Sequence, residues 1–510
     1  MALNFLNTIR GKKKPLIEQQ LAVLNKLLEK ARFTEFGQKY YYDLILKEHD
    51  LQIAKSFQQR VPIFNYDSIF SQWWHKNLEG GVDVCWPGKI KYFALTSGTS
   101  GGSSKFVPIT NSLITSNKNI MVRQLFSLKN YQNIPHLSTI RGWLSLGGST
   151  DLQKYDDYYA GDLSGISAKK RPFWFTPFYK PGLKISSEKN WLQKLESIAE
   201  NAPNWDIGFI LGVPAWTIML FEIMIKKYNI KNIHEIWPNF DFYVHGGVNF
   251  EPYKKNFQTF LGKPITYVET YLASEGFLAY QNKQNYPGMK LVANEHIFFE
   301  FIPFTEENFD ADGNLKPRLE VKLINEVVEN QDYAILISTN GGAWRYLIGD
   351  TIRFIDVNDG QIIITGRTKL FLSLVGEHVS IDNMNQAILM VAKHFNIYIP
   401  EFTVCGIRNK NLFSHHWYIA SNDPIDPQTL LNYIDQQLQE INDDYRTERC
   451  AALKEIKLTL CSTDTFLNFL QSEDRIGSQQ KFPRVLKGAL LEKWKLYISE
   501  NPHLPTVHII

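Results

Sequence analysis

The stretch of the sequence with most chemical potential is a loop rich in glycine and hydroxyl side chains, within 92-YFALTSGTSGGSSKFVPIT-110. Glycines leave the backbone N–H groups accessible, the Ser and Thr hydroxyls add donors, and Lys105 adds a positive charge at the end of the loop. These groups match the oxygens and the charge of a polyphosphate. The spacing is not the GxxxxGK[ST] pattern of P-loop proteins. Because loops rich in Gly and Ser are frequent, the residues alone leave both an anion cradle and a flexible surface turn open.

The composition is that of a well-packed globular protein. Of the 510 residues, 44% are hydrophobic, 14% aromatic and 21% charged, and the formal net charge is +3. At roughly 150 residues per domain, the length predicts two to four domains. Opposite charges are mixed along the chain, and the one dense basic run is 11-GKKKP-15. We therefore expect neither a nucleic-acid partner nor a membrane partner.

The sequence favours a reducing compartment. The opening residues, MALNFLNTIR, lack the long apolar core and the cleavage site of a secretory signal. No window reaches the roughly 18 apolar residues of a membrane span. The four cysteines show no CxxC spacing, so neither a zinc site nor a disulfide framework is indicated. We expect a cytoplasmic protein.

Helical and strand patterns alternate between about residues 111 and 290. Such alternation is typical of a layered α/β domain with a largely parallel sheet. Apolar spacing predicts helices at 190–202 and 214–228 and buried strands at 207–212, 240–247 and 265–271. Upstream, we expect an amphipathic helix at 16–31, a helical piece after 61-VPIFNYDSIFSQWW-74, and a strand within 84–95 that leads into the glycine loop.

After residue 292 the pattern changes twice. Apolar and polar residues alternate with period two between 292 and 366, including 318-RLEVKLINE-326, which predicts a β-rich part. Asn358, Asp359 and Gly360 are expected to close a hairpin in it. The rest of the chain reads as an α+β unit of about 140 residues. We place the boundary near Arg367, which gives domains at 1–367 and 368–510.

Three motifs occur in the order found in acyl-adenylate-forming enzymes, the superfamily of acyl-CoA synthetases, luciferases and nonribosomal adenylation domains. The run TSGTSGGSSK resembles their phosphate loop, 271-YLASE-275 resembles their second adenylate signature, and 346-YLIGD-350 resembles the third. This resemblance implies that ATP is a substrate and that the smaller C-terminal domain is a mobile lid.

The detailed sequence of these motifs resembles one branch of the superfamily, the auxin-responsive Gretchen Hagen family of acyl acid amido synthetases, and particularly its bacterial members. The matching segments extend over nearly the whole chain. They are 61-VPIFNYDSI-69, 86-WPGKIKYFALTSGTSGGSSKFVPIT-110, 343-AWRYLIGDTIRF-354, 366-GRTKLFLSLVGEHVS-380 and 479-QQKFPRV-485. The resemblance implies an α/β fold: a large N-terminal adenylate-forming domain with a β-rich subdomain, then a smaller α+β lid domain.

The resemblance assigns the glycine loop and a second glycine pair to the nucleotide. Lys105 is expected to add charge beside the phosphates, and Gly246 and Gly247 are expected to run beside adenine. For the glycine pair the alternative is a turn at the end of a strand. The residues expected to wrap the phosphates are Ser97, Gly98, Thr99, Ser100 and Gly101.

The second signature is expected to bind adenine and Mg²⁺. Tyr271 is expected to lie against adenine, although a core aromatic is the alternative. Ser274 precedes Glu275 and is grouped with the nucleotide-binding residues. Because an unpaired carboxylate at the end of a buried strand is costly, Glu275 needs a partner, and Mg²⁺ shared with the ATP phosphates supplies one. A salt bridge to Lys or Arg is the alternative for Glu275.

The third signature is expected to bind the ribose. Tyr346 is grouped with the nucleotide-binding residues, and the two oxygens of Asp350 match the two adjacent ribose hydroxyls. The sequence departs from the common spelling here, because Leu347 stands where an Arg is frequent. Arg345 or Arg353 is the candidate to supply the missing charge.

Two residues are assigned to the lid and its movement. Arg367 matches the position where the lid begins to pivot, and an exposed surface ion pair is the alternative. Lys481 matches the lysine that reaches the α-phosphate during adenylation, a role that suits its compact charge on a long stem. Phe482 follows where Thr is common, and a solvated lysine is the alternative. His245 and His378 lie near motifs, but we assign neither as a general base.

The implied activity has two steps that use ATP and Mg²⁺. The enzyme adenylates a small carboxylic acid, releasing pyrophosphate, and then joins the acyl group to an amino acid, releasing AMP. Lys481 and Glu275 are the expected catalytic residues. No carrier protein is expected, and the chain is expected to be a monomer.

Other functions stay open on the sequence. An acyl-CoA ligase shares the first step and uses a thiol in the second. A catalytically inactive nucleotide-binding module would keep only the binding residues, and a scaffold protein would bind no ATP. The sequence does not identify the pocket for the acid. Four aromatic residues could line it or belong to the core, namely Trp143, Phe173, Trp174 and Phe175.

Overall fold

The computed structural model of the chain describes most of its residues. The described residues are 14–96, 105–131, 141–247, 250–310, 313–368, 372, 379–409, 412–442, 445–446, 449, 453–473, 482–500 and 505–509. None of the helices in these ranges combines the length and the hydropathy that crossing a membrane requires.

The strands of the described part carry the labels β1 to β19 in chain order. They are Tyr92–Thr96, Lys105–Ile109, Gly142–Leu146, Gln153–Lys154, Tyr159–Gly161, Tyr179–Lys180, Ile207–Gly212, Phe242–Gly246, Thr266–Ala273, Gly276–Tyr280, Met289–Leu291, Ile297–Pro303, Asp332–Thr339, Tyr346–Asp356, Gln361–Arg367, Phe402–Asn409, Leu412–Ala420, Leu453–Cys461 and Thr506–Ile509.

The α-helices of the described part carry the labels α1 to α16. They are Leu16–Ala31, Glu35–Lys39, Tyr42–Ile45, Leu51–Arg60, Tyr66–Ile69, His75–Leu78, Asn111–Ser127, Leu163–Lys169, Leu183–Ser186, Trp191–Asn201, Pro214–Tyr228, Glu251–Thr259, Ile381–Phe395, Pro427–Ile441, Thr463–Ser472 and Gly488–Ser499.

A mixed sheet forms the centre of the molecule. Among the described residues it has eleven strands, in the order β12-β13-β14-β15-β11-β10-β9-β8-β7-β3-β6. Strands β6, β3, β7, β8 and β9 run parallel, and the direction reverses between β9 and β10. The α/β alternation of residues 111–290 therefore forms the parallel half, and the β-rich segment from residue 292 extends the antiparallel half.

Two smaller sheets complete the described fold. Strands β2, β1, β5 and β4 form one beside the glycine loop, with β1 and β5 parallel. Strands β16 to β19 form the other, and helices α13 and α14 contribute to its hydrophobic core. We call the described residues from Val379 onward the C-terminal unit and those before it the N-terminal unit. The expected α/β class, with a large N-terminal and a smaller C-terminal part, is confirmed.

Local sequence signals explain the helices nearest the site. Helix α11 begins with Pro214 in its first turn, where a missing N–H costs nothing, and ends at Asn229 with φ 51°. Helix α13 begins with a capping box between Ser380 and Asn383. Helices α1 and α11 have the predicted bounds.

Two expected strands are shorter than predicted or do not form. Within 84–95, only the part from Tyr92 onward is a strand, because Pro87 and Gly88, which has φ +93°, turn the chain before it. The segment 318–326 makes a single bridge, between Phe301 and Lys322, although its alternation predicted a strand. The chain turns at 324–326, immediately after this bridge, which ends the pairing. The domain boundary near Arg367 stays a prediction.

A buried ion pair ties helix α4 to the antiparallel half of the sheet. Arg345 Nε lies 3.1 Å from both carboxylate oxygens of Glu300, and the two side chains are 5% and 1% exposed. The guanidinium also donates to the carbonyl oxygens of Gln58 and Val61 at 2.9 and 2.7 Å. These bonds hold Arg345 at φ 41°, a left-handed conformation that is unfavourable for a side chain of this size.

Removing one partner of this pair should therefore destabilise the fold strongly. We expect Glu300→Ala to lower the free energy of unfolding by about 3–5 kcal/mol, because it leaves a buried cation unpaired. Urea unfolding followed by tryptophan fluorescence measures this difference. The matched control is Glu200→Ala, which removes the exposed pair with Lys227 and should cost at most about 1 kcal/mol. Equal effects of the two substitutions would contradict the structural role of the buried pair.

Candidate active site

A cleft of about 2200 Å³ lies between the N-terminal unit and the C-terminal unit. Strands β8 and β9 are parallel, so their carboxyl ends meet at one edge of the sheet, and residues of both ends line the cleft. The predicted residues that line it are Lys105, Gly247, Tyr271, Ser274, Glu275, Tyr346, Asp350 and Arg367. Chain segments that are far apart in sequence thus converge on one site.

Gly246 and Gly247 lie at the end of β8, and a different structural constraint favours glycine at each position. A Cβ on Gly246 would lie 2.4 Å from the carbonyl oxygen of Thr270 on the neighbouring strand, so a side chain there would displace β9. Gly247 has φ +80°, which side chains rarely adopt. The backbone at this turn is therefore bare toward the cleft, as a close-lying flat ligand requires.

Asp350 is the centre of a buried polar cluster. The Tyr271 hydroxyl donates to Asp350 Oδ2 at 2.5 Å, and Arg367 Nε lies 3.1 Å from Asp350 Oδ1. Arg367 also donates to the carbonyl oxygen of Ile348 at 3.1 Å. Burial, and after it the charge of Asp350, raises the pKa of Tyr271 well above its ordinary value, so this phenol remains protonated.

The strand register explains the Asp350–Arg367 pair. Strands β14 and β15 are antiparallel, and Asp350 faces Arg367 directly across them. Gly349 has φ +89°, and a Cβ there would come within 3.4 Å of the Arg367 guanidinium. Glycine before the aspartate therefore leaves room for the arginine to reach it.

Glu275 lies in the turn between β9 and β10, where the sheet changes from parallel to antiparallel. Its side chain is buried, and the buried Tyr346 lines the same cleft. Burial is the main cause that raises the pKa of Glu275, and the nearby charge of Asp350 adds to it. This carboxyl group is therefore poised to ionise when a cation joins it.

Only some of the residues expected to contact the phosphates lie within the described part of the chain. Lys105 begins β2, and its ammonium lies 5.0 Å from the centre of the Tyr66 ring, in cation–π contact. Ser97, Gly98, Thr99, Ser100, Gly101 and Lys481 lie outside the described residues, as does His378. The nearest described residues on the lid side are Phe482, Pro483 and Arg484, which line the cleft.

The two arginines proposed to replace the charge missing at Leu347 point elsewhere. Arg345 is bound to Glu300, as described above. Arg353 Nε lies 2.8 Å from Asp332 Oδ1, across the same sheet. Neither arginine is among the described residues that line the cleft. The described guanidinium that contacts Asp350 is that of Arg367.

The aromatic residues considered for the acid pocket divide between core and surface. Trp143 stacks on Phe209 with ring centres 4.2 Å apart, and Phe175 packs edge-on against Trp143 at 5.5 Å. Phe173 and Trp174 are 89% and 60% exposed. None of the four predicted aromatics lines the described part of the cleft.

The cleft also contains a titratable residue, Glu269, that the sequence did not single out. Glu269 lies on β9 two residues before Tyr271, so both side chains share one face of the sheet. Burial raises its pKa to about 7. A carboxylate inside an otherwise apolar strand was the available signal. His245, directly across on β8, is buried with a pKa lowered to about 3, so it is neutral at physiological pH.

Protein-family models match three parts of the chain. Residues 5–181 match the GH3 family N-terminal domain, residues 290–367 the GH3 family central domain, and residues 382–489 the GH3 family C-terminal domain. GH3 denotes the Gretchen Hagen family, so the resemblance seen in the sequence motifs is confirmed. Its assignment to the bacterial branch stays a prediction.

Solved structures of related enzymes share the fold. The GH3.15 acyl acid amido synthetase matches with a TM-score of 0.78 and 14% identity over 100% of this chain and 96% of that chain. AtGH3.15 acyl acid amido synthetase in complex with 2,4-DB matches with a TM-score of 0.75 and 16% identity, over 96% and 94%. A 2-hydroxyisobutyryl-CoA ligase in the postadenylation state matches with a TM-score of 0.59 and 12% identity, over 95% and 90%.

These structures establish the fold, and the domain models establish the family. The three domain matches follow one another in chain order and together cover more than half of the residues. The chain belongs to the GH3 family.

Proposed function

We propose that this protein is an ATP-dependent acyl acid amido synthetase. In the first step a carboxylate oxygen of the acid attacks the α-phosphorus of ATP, and the bond to pyrophosphate breaks. In the second step an amino acid nitrogen attacks the acyl carbon, the bond to AMP breaks, and the nitrogen loses a proton. The observation that carries the proposal is the cluster of Asp350, Tyr271, Glu275 and Arg367 in the cleft of a GH3 family chain.

Asp350 is the proposed ribose ligand. A carboxylate has about four lone-pair sites, and the contacts with Tyr271 and Arg367 use two of them. Two sites are thus left for the adjacent hydroxyls of a ribose. Because Asp350 is held on both sides, its oxygens are fixed before the nucleotide arrives, which lowers the entropic cost of binding.

Adenine is proposed to lie between the glycine turn and β9. The bare backbone of Gly246 and Gly247 and the ring of Tyr271 would form its two walls, with Ser274 and Tyr346 nearby. The phosphates would then extend toward Lys105 and the loop that holds Ser97, Gly98, Thr99, Ser100 and Gly101. Lys481 is the proposed cation that acts on the α-phosphate from the lid, and Arg367 is the proposed pivot.

The residues present suit a hard divalent cation such as Mg²⁺. Glu275 offers a buried carboxyl group whose pKa is raised by burial. Within the described residues no group of three or more His, Cys, Asp and Glu could hold a metal ion, so the remaining ligands would come from ATP and water. When bound there, Mg²⁺ would neutralise charge that develops on the phosphate oxygens.

Product analysis tests the proposed activity directly. The purified protein is incubated with Mg²⁺-ATP, a panel of aryl and aliphatic acids, and either mixed amino acids or CoA. We expect AMP, pyrophosphate and an acyl amino acid, identified by its mass, in equal amounts. If an acyl-CoA forms instead, the second step is thioester formation and the proposed amide formation is wrong. Absence of AMP with every pair would refute the enzyme assignment for these acids.

Asp350→Asn should weaken ATP binding and remove the selectivity for a ribose hydroxyl. A hydrogen bond to a charged acceptor is worth about 1.5–3 kcal/mol, so we expect the wild type to prefer ATP over 2′-deoxy-ATP at least about tenfold in kcat/KM. The variant should lose most of this preference. Asp332→Asn is the matched control, because Asp332 forms a similar cross-strand pair with Arg353 outside the cleft. If Asp350→Asn and Asp332→Asn prefer ATP over 2′-deoxy-ATP to the same degree, Asp350 does not bind the ribose hydroxyl.

Glu275 should couple the Mg²⁺ requirement to pH. Because burial raises the pKa of Glu275, lowering the pH protonates it earlier than an ordinary glutamate, and the proton competes with the metal. We expect the Mg²⁺ concentration for half-maximal rate to rise as the pH falls. In Glu275→Gln this concentration should be high at every pH, with a residual slope that comes from ATP itself.

The matched control for this test is Glu269→Gln, which removes another carboxyl group of the cleft whose pKa is raised by burial, in this case one on β9. It should keep the wild-type dependence of the Mg²⁺ requirement on pH. If Glu275→Gln also keeps that dependence, Glu275 does not bind the metal.

A further inference from the structure

Tyr66 lies beside Lys105, the cation at the end of the glycine loop. The Lys105 ammonium lies 5.0 Å from the centre of the Tyr66 ring, and the Phe106 amide donates to the Tyr66 hydroxyl at 2.8 Å. Two consecutive residues of β2 thus contact one aromatic side chain, the first through its charge and the second through its backbone. Lys105 lines the cleft, and Tyr66 is not among the described residues that do. Tyr66 therefore supports the lysine from outside the cleft.

The bond to the Tyr66 hydroxyl fixes the beginning of β2. This strand is at the edge of its four-stranded sheet, whose order is β2-β1-β5-β4. An edge strand turns part of its backbone N–H groups away from the sheet, where no neighbouring strand accepts them. The Tyr66 hydroxyl accepts one such group, that of Phe106. Because β2 begins at Lys105, this bond anchors the chain where the glycine loop ends.

Two other rings hold the Tyr66 ring in place. It stacks on Phe70 with ring centres 5.4 Å apart and meets Trp74 edge-on at 6.1 Å. Trp74 is 1% exposed, and its indole Nε1 donates to the carbonyl oxygen of Gly342 at 3.2 Å. The Tyr66 ring is therefore a fixed surface for the lysine.

The chain segment that carries Tyr66 is also bound to the third signature. The Phe64 amide donates to the carbonyl oxygen of Arg345 at 3.0 Å, and the Leu347 amide donates to that of Phe64 at 2.7 Å. These bonds attach the segment to the start of β14, the strand that contains Asp350. The segment thus links the proposed ribose ligand to the strand that presents Lys105, and it sets the spacing between them.

An aromatic ring is suited to orient a lysine that has to act on an anion. A lysine side chain has four rotatable bonds, and ordering it costs free energy when the ligand binds. The face of an aromatic ring attracts the ammonium and so restricts these rotations. A carboxylate would also restrict them, but its charge would cancel the attraction of the lysine for phosphate. The ring carries no net charge and leaves that attraction intact.

We propose that Tyr66 is a positioning residue that holds the Lys105 ammonium toward the phosphates of the nucleotide. The inference rests on the proposed function, in which the phosphates of ATP extend toward Lys105. Tyr66 contacts no substrate in this proposal. Its ring orients the ammonium before ATP arrives, and its hydroxyl fixes the backbone from which the lysine side chain extends.

Nucleotide affinities measured without turnover test the proposal on Tyr66→Leu, which removes the ring. Titration calorimetry with Mg²⁺-ATP, and with adenosine in competition with ATP, compares a ligand that has phosphates with one that has none. We expect the affinity for ATP to fall about three- to tenfold, because binding then has to order the lysine side chain. The affinity for adenosine should stay within about 1.5-fold of the wild type. An equal fall for both ligands, or an unchanged affinity for ATP, would overturn the proposal.

The conservative variant Tyr66→Phe keeps the ring and removes the hydroxyl. Because Phe70 and Trp74 still hold the ring, its preference for ATP over adenosine should lie closer to that of the wild type than to that of Tyr66→Leu. If the two variants have the same preference, the ring does not position the lysine.

The matched control is Tyr92→Leu. Tyr92 lies on the neighbouring strand β1, and its ring centre is 4.5 Å from the ammonium of Lys170. This is the same kind of contact, but neither residue is among the described residues that line the cleft. The preference of this variant for ATP over adenosine should equal that of the wild type. A loss as large as in Tyr66→Leu would show that the effect is not specific to Lys105.

A double variant tests whether Tyr66 acts through Lys105. Residues in contact give losses that do not add. In a Lys105→Met background, Tyr66→Leu should therefore lower the affinity for ATP by less than about 1.5-fold. A further loss as large as that caused by Tyr66→Leu alone would show that Tyr66 acts through another group.

The same titrations distinguish this inference from the proposed function. If the wild type binds ATP no more tightly than adenosine, the proposed phosphate site is wrong and the role of Tyr66 fails with it. If the wild type prefers ATP and Tyr66→Leu prefers it equally, only the role of Tyr66 is refuted.

Discussion

The curvature of the large sheet is the constraint on which the site depends. Tyr271 lies on β9 and Asp350 on β14, and three strands separate them in the sheet order. At about 4.8 Å per step, a flat sheet would hold these strands about 19 Å apart, yet the two side chains form a 2.5 Å hydrogen bond. The sheet therefore curls. Register irregularities in the β9–β10 and β14–β15 pairs are places where strands bend and twist more strongly.

Curling brings acidic groups together with few opposing charges. Asp350 and Glu275 share the cluster with two phenols, and Arg367 is the described cation that pairs with Asp350. This region therefore favours a ligand that carries hydroxyl donors or positive charge. Lys105 lines the cleft where the phosphates are proposed to bind, and its positive charge favours a negatively charged ligand there. A nucleotide with its metal ion has this same polarity, with hydroxyls at the sugar and negative charge at the phosphates.

The C-terminal unit closes the cleft from the other side through a small set of polar contacts on α12. Large apolar interfaces fix two units rigidly, whereas a few hydrogen bonds can be exchanged at modest cost. The core of each unit is separate, since the aromatic cluster around Trp494 and Phe482 packs entirely within the C-terminal unit. The cleft thus has a floor built on the large sheet and a wall that the C-terminal unit contributes, with Phe482, Pro483 and Arg484 among its residues.

The sequence determined the local structure and the chemical types at the site. Apolar spacing gave the bounds of α1 and α11, and the third signature gave Asp350 as a site residue, because these signals act within a few residues. Only the tertiary structure decided which charges meet. The sequence offered Arg345 or Arg353 as the charge near Asp350, yet Arg345 is buried against Glu300, and strand register brings Arg367 to Asp350 instead. Long-range partners depend on sheet curvature and register, which no short segment of sequence specifies.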